Sequence, residues 1–236
     1  MLDVQPRAEL AVLATFGQAM DHRDAEGTLR AEGWNRSGEG DWAIALQSPS
    51  GAYAARISPF DPASPYSAAL YRRAGHTGQV PHLEAEVALN GGANLLVMEF
   101  LFQVEADRAA THHRAIAARA AHVAELADLI ATIHADAARE LPWCGPLDNN
   151  PANVMQNKKG VLVIVDPFYA DGPNLYAAVL DDPARVAASI PSEQRQHMLD
   201  IPRLRSSELF EPAVLDQMQA HLAAADIAIN TAKLDR

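Results

Sequence analysis

The sequence predicts an α+β chain of two lobes, a small β-rich N-lobe followed by a reduced helical C-lobe. Three observations predict it. Strand-like runs crowd residues 33–100, an alanine-rich stretch from 108 to 139 contains no Gly or Pro, and the tail from 181 alternates helical patterns with prolines. At 236 residues the chain is long enough for one large domain or for two small lobes with a cleft between them. We expect the N-terminal helix and β-rich lobe to occupy residues 1–102 and the helical lobe residues 103–236.

Leu10, Val12, Leu13, Phe16 and Met20 recur at helical spacing and predict a helix over 7–31. Residues 33–57 read as a β-hairpin, with a first strand that includes Trp42 to Leu46, a Gln47–Gly51 turn and a return from Ala52 to Ile57. The proline-broken run SPFDPASP follows, and Tyr66 to Ala74 predicts a short helix. Residues 82–89 and 94–100 read as strands joined by Asn90-Gly91-Gly92, a strong hairpin turn. Ile116, Val123, Leu126, Leu129, Ile130 and Ile133 trace one apolar face and predict a single helix over 108–139. Then come the polar loop LDNNPAN, a short strand at Val154–Met155, a turn at Asn157–Gly160 and the apolar strand VLVIV. Prolines 191, 202 and 212 divide the tail into two or more helices.

Composition excludes several classes. A formal net charge of −11 argues against a chain whose main task is to grip nucleic acid or an anionic membrane. The single cysteine, Cys144, rules out an internal disulfide framework and cysteine-based zinc sites, and it points to a reducing, cytoplasmic setting. No apolar run is long enough to span a bilayer, and the N-terminus is too acidic and interrupted for a signal peptide. His112-His113 are adjacent on a helix and face different ways, so they read as solvated or capping residues. Cys144 beside Trp143 reads as packing.

Chemistry concentrates in LDNNPANVMQNKKGVLVIVDPF. Asp148 and Asn153 stand five positions apart in a loop, and Asp166 ends an apolar strand thirteen positions after Asn153. The hairpin between them folds the end of that strand back beside Asn153, so the three side chains are expected to converge. An amide oxygen and a carboxylate are hard donors that suit Mg²⁺. A separate carboxylate can orient an incoming hydroxyl and accept its proton. Taken alone, LDNNPAN is simply a good turn sequence.

These residues resemble the protein-kinase fold, in which a catalytic-loop Asp is followed after four residues by Asn and later by the Asp of a DFG-type motif. Here the motifs read Asp148-Asn149-Asn150-Pro151-Ala152-Asn153 and Asp166-Pro167-Phe168. The wording is most similar to the small serine/threonine kinases of short-tailed phages, and more distantly to aminoglycoside and choline kinase-type phosphotransferases. Upstream, Gly38-Glu39-Gly40-Asp41-Trp42-Ala43 resembles a shortened Gly-rich loop, though Gly38 and Gly40 read equally well as a hairpin tip. Tyr53-Ala54-Ala55-Arg56-Ile57 occupies the place of the lysine strand, Met98-Glu99-Phe100-Leu101 resembles the hinge, and His134 resembles the histidine ahead of the catalytic loop.

The resemblance implies ATP and Mg²⁺ as cofactors. Asp148 would be the catalytic base, with Asn153 and Asp166 on the metal and Arg56 on the phosphates. The Gly38, Gly40 and Trp42 backbone would cover them, and the Glu99, Phe100 and Leu101 backbone would hold adenine. Two departures stand out: Arg56 replaces lysine, and the helix at Tyr66–Ala74 carries no acid to pair with it, for which Glu84 or Glu86 are the candidate substitutes. No APE-like segment follows Phe168. The implied activity is phosphorylation of protein serine or threonine, with host transcription or RNA-processing machinery as the partner class a phage-type kinase suggests. Two alternatives remain. One is a small-molecule phosphotransferase, with Asp181, Asp182 and Glu193 as candidate acidic residues of its pocket. The other is a pseudokinase that inhibits a partner by occlusion.

Overall fold

The computed structural model describes residues 6–206 and 211–234. Its centre is a five-stranded antiparallel sheet in the order β1-β2-β3-β5-β4, built from β1 (Asn35–Glu39), β2 (Ile44–Gln47), β3 (Tyr53–Ser58), β4 (Leu83–Ala88) and β5 (Asn94–Glu99). Helix α1 (His22–Ala31) covers one face and α2 (Ser64–Ala74) lies between β3 and β4 in sequence. A helical part follows, with α3 (Ala106–Ala117), α4 (Ala124–Glu140), α5 (Gly172–Asp181), α6 (Pro183–Ser189), α7 (Pro202–Ser206) and α8 (Pro212–Leu234). Between α4 and α5 the chain makes four short strands, β7 (Cys144–Leu147), β8 (Val154–Gln156), β9 (Leu162–Ile164) and β10 (Phe168–Ala170); β8 also pairs with β6 (Phe102–Gln103). The fold is therefore a mixed α+β arrangement of a sheet lobe and a helical part. Among the described residues no helix is long and apolar enough to cross a membrane.

Three expectations about elements need correction. The helix expected over 7–31 is two pieces, a 3₁₀ segment Pro6–Thr15 and α1, because Asp21 restarts the helix as an N-cap, its carboxylate accepting the Arg23 amide at 2.7 Å. The hairpin expected over 33–57 is a three-strand meander. Its extra strand, NRSGE, is exposed at every position and so shows no period-2 alternation. The helix expected over 108–139 breaks between α3 and α4, where Arg119 takes a left-handed backbone at φ 50°. Alanine-rich sequence has no punctuation that would announce such a break.

Strand periodicity sets the site. On β3, Tyr53, Ala55 and Ile57 face the core shared with α1, where Leu29, Trp34, Leu46 and Leu95 are buried. Arg56 therefore points to the other face. There Leu96 and Met98 of β5 meet Leu70 and Tyr71 of α2, Ile130 and Ile133 of α4, and Ile164 and Phe168. A third cluster, including Trp143, Leu175, Tyr176, Met198 and Met218, fills the helical part.

Candidate functional site

The hairpin of β8 and β9 positions the loop residues. Val154 pairs with Ile164, and the Val165 amide donates to the Asn153 carbonyl at 2.8 Å. This register brings Asn153 beside the residue that ends β9. A second antiparallel pairing, Phe168 with Leu147 in β10 and β7, brackets the loop, and the Asp148 amide donates to the Pro167 carbonyl at 2.9 Å. Phe168 is buried and stacks on His134 at 6.4 Å between centroids, while His134 Nε2 donates to the Gly145 carbonyl at 2.8 Å.

Arg56, Asp166, Asn153 and Asp148 form one hydrogen-bonded chain. Arg56 Nε donates to Asp166 Oδ2 at 3.2 Å. Asn153 Nδ2 donates both to the Asp166 carbonyl at 3.2 Å and to Asp148 Oδ2 at 2.9 Å. Asp148 Oδ1 accepts the Asn150 amide at 2.9 Å, which fixes its carboxylate in the turn. Asp166 sits at φ 43°, a left-handed conformation uncommon outside glycine, although Asp tolerates it better than most residues.

Two further residues complete the cluster. Asp61, in the segment before α2, accepts Arg56 Nη2 at 2.5 Å through Oδ2 and caps its own turn by accepting the Ala63 amide at 2.9 Å through Oδ1. The Tyr71 hydroxyl of α2 accepts the Asp166 amide at 3.1 Å and donates to Asp166 Oδ1 at 3.3 Å. Sequence reading missed both. Asp61 lies in a proline-broken stretch without periodicity, and Tyr71 reads as an ordinary core position. Arg56 thus has its acidic partner, but from a loop. Neither Glu84 nor Glu86 supplies it: Glu86 pairs with Arg72, and Glu84 faces His82 at 3.6 Å.

The electrostatics follow from burial between two acids. Burial alone would lower the Arg56 pKa, but Asp166 and Asp61 outweigh it and hold the guanidinium charged, above its ordinary value. The Tyr71 hydroxyl is pushed well above the ordinary phenol range, first by burial and then by the Asp166 carboxylate, so it stays a donor. Arg56 Nη1 is buried without a hydrogen-bond partner. An orphaned cationic donor of this kind fits a phosphate oxygen. The Asn153 side-chain oxygen accepts no hydrogen bond among the described residues, and with the Asp166 carboxylate it offers the hard oxygen donors that Mg²⁺ takes. These residues fit both groups.

The remaining predicted residues lie around this chain. Gly38 pairs with Ala45 and the Gly40 amide donates to the Ala43 carbonyl at 2.9 Å; both are exposed at the β1–β2 tip. Neither needs glycine for packing, since a Cβ would meet nothing nearer than 3.8 Å at Gly38 and 3.9 Å at Gly40. The Trp42 ring is committed to packing against Phe60 and Tyr176, and its carbonyl accepts the Ser58 hydroxyl at 2.6 Å. At the expected hinge, the Glu99 amide donates to His82 and the Phe100 amide to Ala52, at 3.0 and 2.8 Å. Of the three hinge amides, that of Leu101 has no such partner among the described residues. His112 is buried rather than solvated, and burial pushes the Cys144 thiol up, away from nucleophile character. Asp181, Asp182 and Glu193 are exposed, and none of them lines the 630 Å³ cavity beside Asp61.

No protein-family model matches the chain, and no curated protein matches it. Among solved structures it is similar to WbdD in complex with the kinase inhibitor LY294002, at 11% identity and a TM-score of 0.31, over 79% of this chain and 45% of that one. It is also similar to a choline/ethanolamine kinase family protein from Mesorhizobium loti, at 13% identity and a TM-score of 0.28, over 85% of this chain and 80% of that one. Both superpositions are loose, and the chain spans less than half the length of the WbdD chain.

Proposed function

We propose that the chain transfers the terminal phosphoryl group of ATP, with Mg²⁺, to a hydroxyl, and that the acceptor is a serine or threonine of a protein. The observation that carries the reading is the single hydrogen-bonded chain Arg56–Asp166–Asn153–Asp148, assembled although Arg56 and Asp166 lie 110 positions apart. In this reading Asp148 orients the acceptor hydroxyl and takes its proton as the oxygen bonds to phosphorus. The bond from phosphorus to the bridging oxygen breaks in the same in-line displacement, and ADP leaves. Arg56 Nη1 binds a phosphate oxygen, and the open, glycine-bearing β1–β2 tip lets backbone approach the phosphates. Asn153 and Asp166 would hold Mg²⁺, which supplies charge neutralisation on the phosphates. A macromolecular acceptor is supported by the openness around Asp148: Asn149 and Asn150 are exposed, and Leu147 is 40% exposed.

A second reading, a non-catalytic binder, is favoured by the commitment of the Glu99 and Phe100 amides inside the protein. One experiment separates the two. Labelled ATP and Mg²⁺ are offered with protein acceptors and, in parallel, with amino-alcohol and aminoglycoside acceptors, using wild type and Asp166→Ala. Label on protein hydroxyls that the variant loses by at least about 100-fold supports the kinase reading. Label on a small molecule alone moves the acceptor class. Neither nucleotide binding nor transfer in wild type sinks the enzyme reading and leaves the binder.

A further inference from the structure

A second cluster, remote in sequence from the chain just described, joins the two parts of the molecule. Asp21 and His22 open α1, and His197 belongs to the turn ahead of α7. Both histidines are buried, each about 7% exposed, and their rings meet edge-on at 4.7 Å between centroids. His22 Nδ1 and His197 Nε2 are buried with no hydrogen-bond partner. Each nevertheless faces the Asp21 carboxylate, His22 Nδ1 at 3.3 Å from Oδ1 and His197 Nε2 at 3.5 Å from Oδ2.

Close as the carboxylate is, neither ring nitrogen has the geometry of a hydrogen bond to it, and both separations exceed the about 2.7–3.2 Å of a well-formed N–H···O bond. The same structure closes ordinary pairs tightly: Arg23 reaches Asp200 at 2.6 Å and His76 reaches Glu125 at 2.7 Å. In a tetrahedral site with metal–ligand bonds of about 2.0–2.1 Å, however, neighbouring ligand atoms stand roughly 3.3–3.4 Å apart. The candidate ligand atoms of Asp21, His22 and His197 all lie within 4.8 Å of one another.

We propose that Asp21, His22 and His197 bind one divalent transition-metal ion of the zinc class, with Asp200 orienting His197 from behind. Two imidazoles and a carboxylate suit zinc and its neighbours rather than Mg²⁺ or Ca²⁺, which take oxygen. Asp200 Oδ2 lies 3.4 Å from His197 Nδ1 and is itself held by Arg23, the outer-shell carboxylate that metal-bound histidines usually have. The turn at Asn90–Gly92 seals the cluster, since a Cβ on Gly91 would fall 2.5 Å from His197 Cδ2. The ion ties α1, on the sheet, to the turn before α7, and it is independent of the Mg²⁺ proposed at Asn153 and Asp166.

The test uses the full chain, stripped with EDTA and titrated with Co²⁺ in excess Mg²⁺, then with Zn²⁺. The expected result is one equivalent of Co²⁺ giving the intense visible band of a low-coordinate site, displaced by Zn²⁺, with a melting temperature that Zn²⁺ raises. Asp21→Asn, which keeps an N-cap side chain, and His197→Gln should weaken Co²⁺ binding by more than about 100-fold. Asp200→Asn should weaken it by about 10–100-fold. Asp166→Ala should leave it intact. If His197→Gln fails to fold, Asp21→Asn decides. A faint six-coordinate spectrum, equal binding in wild type and Asp21→Asn, or a melting temperature indifferent to Zn²⁺ and chelator would overturn the site and leave the cluster as a buried packing contact between two rings and a carboxylate.

Discussion

Replacing Arg56 by methionine is the sharpest test of how the site is held. The Arg56 side chain is 14% exposed and that of Asp61 only 6%, and they pair at 2.5 Å. Methionine fills similar volume but leaves Asp61 buried without a cation. Removing one partner of a buried pair costs about 3–5 kcal/mol. A Coulomb check agrees: unit charges about 4 Å apart at an effective dielectric of 20 interact by roughly 4 kcal/mol. The Asp166 carboxylate is 37% exposed, so water replaces much of its lost partner, and it adds no more than about 1 kcal/mol. In the double variant Arg56→Met/Asp61→Asn the orphan charge is gone, and the Asn oxygen can still accept the Ala63 amide. Its total loss should fall to about 1–2 kcal/mol, roughly 2–3 kcal/mol below that of Arg56→Met alone. Urea unfolding at neutral pH, read from midpoints at constant slope, measures these two variants and the single Asp61→Asn that completes the cycle. A loss under about 1 kcal/mol in Arg56→Met, or losses that simply add in the double variant, would refute the buried-pair argument.

Tyr71→Phe should cost about 1–3 kcal/mol in urea unfolding, because it leaves the Asp166 amide without its acceptor, and should depress phosphoryl transfer alongside. All five tyrosines have raised hydroxyl pKa values, burial leading in each case, with Tyr66 pushed up to about 12. Their stabilisation is therefore fully present below the unfolded value near 10. It is lost as pH rises from there towards the folded values, so phenolate absorbance should lag the usual titration and climb with unfolding. Gly92→Ala should destabilise by several kcal/mol, about 3 or more, because its Cβ would fall 2.0 Å from the Gln194 carbonyl oxygen at φ +84°. Gly38→Ala should change stability by less than about 1 kcal/mol yet weaken nucleotide binding, which titration of a fluorescent ATP analogue would show.

What the sequence makes legible here is local. The Asp148–Asn153 spacing, the apolar run ending at Asp166 and the Asn90-Gly91-Gly92 turn each encode geometry within a few residues, where turn chemistry and period-2 burial act directly. The partners of Arg56 are not local in that sense. Asp61 reaches it through an Asx-type turn in a stretch with no periodic signal, and Tyr71 through a helix whose buried face looks like any other. Strand β1 escapes because an exposed edge strand needs no apolar alternation. His22 and His197 meet only after the sheet packs on the helical part, so nothing in either neighbourhood announces the other.

The two departures from the kinase resemblance, arginine for lysine and a helix without an acid, become one arrangement once the contacts are known. A lysine offers a compact point charge, whereas the guanidinium is a planar fork. Arg56 uses that fork fully: Nε on Asp166, Nη2 on Asp61, and Nη1 left over, buried and unpartnered. Because the acid that fixes the cation comes from the segment before α2, the helix is released from supplying one. It presents Tyr71 to Asp166 instead. Arg56→Lys in this setting is not a repair. An ammonium gathers its three donors on one nitrogen and lacks the planar fork that spans Asp166 and Asp61, so the lysine variant should bind nucleotide more weakly than wild type. A lysine variant that bound nucleotide as well as wild type, or better, would mean that the fork plays no part in holding phosphate.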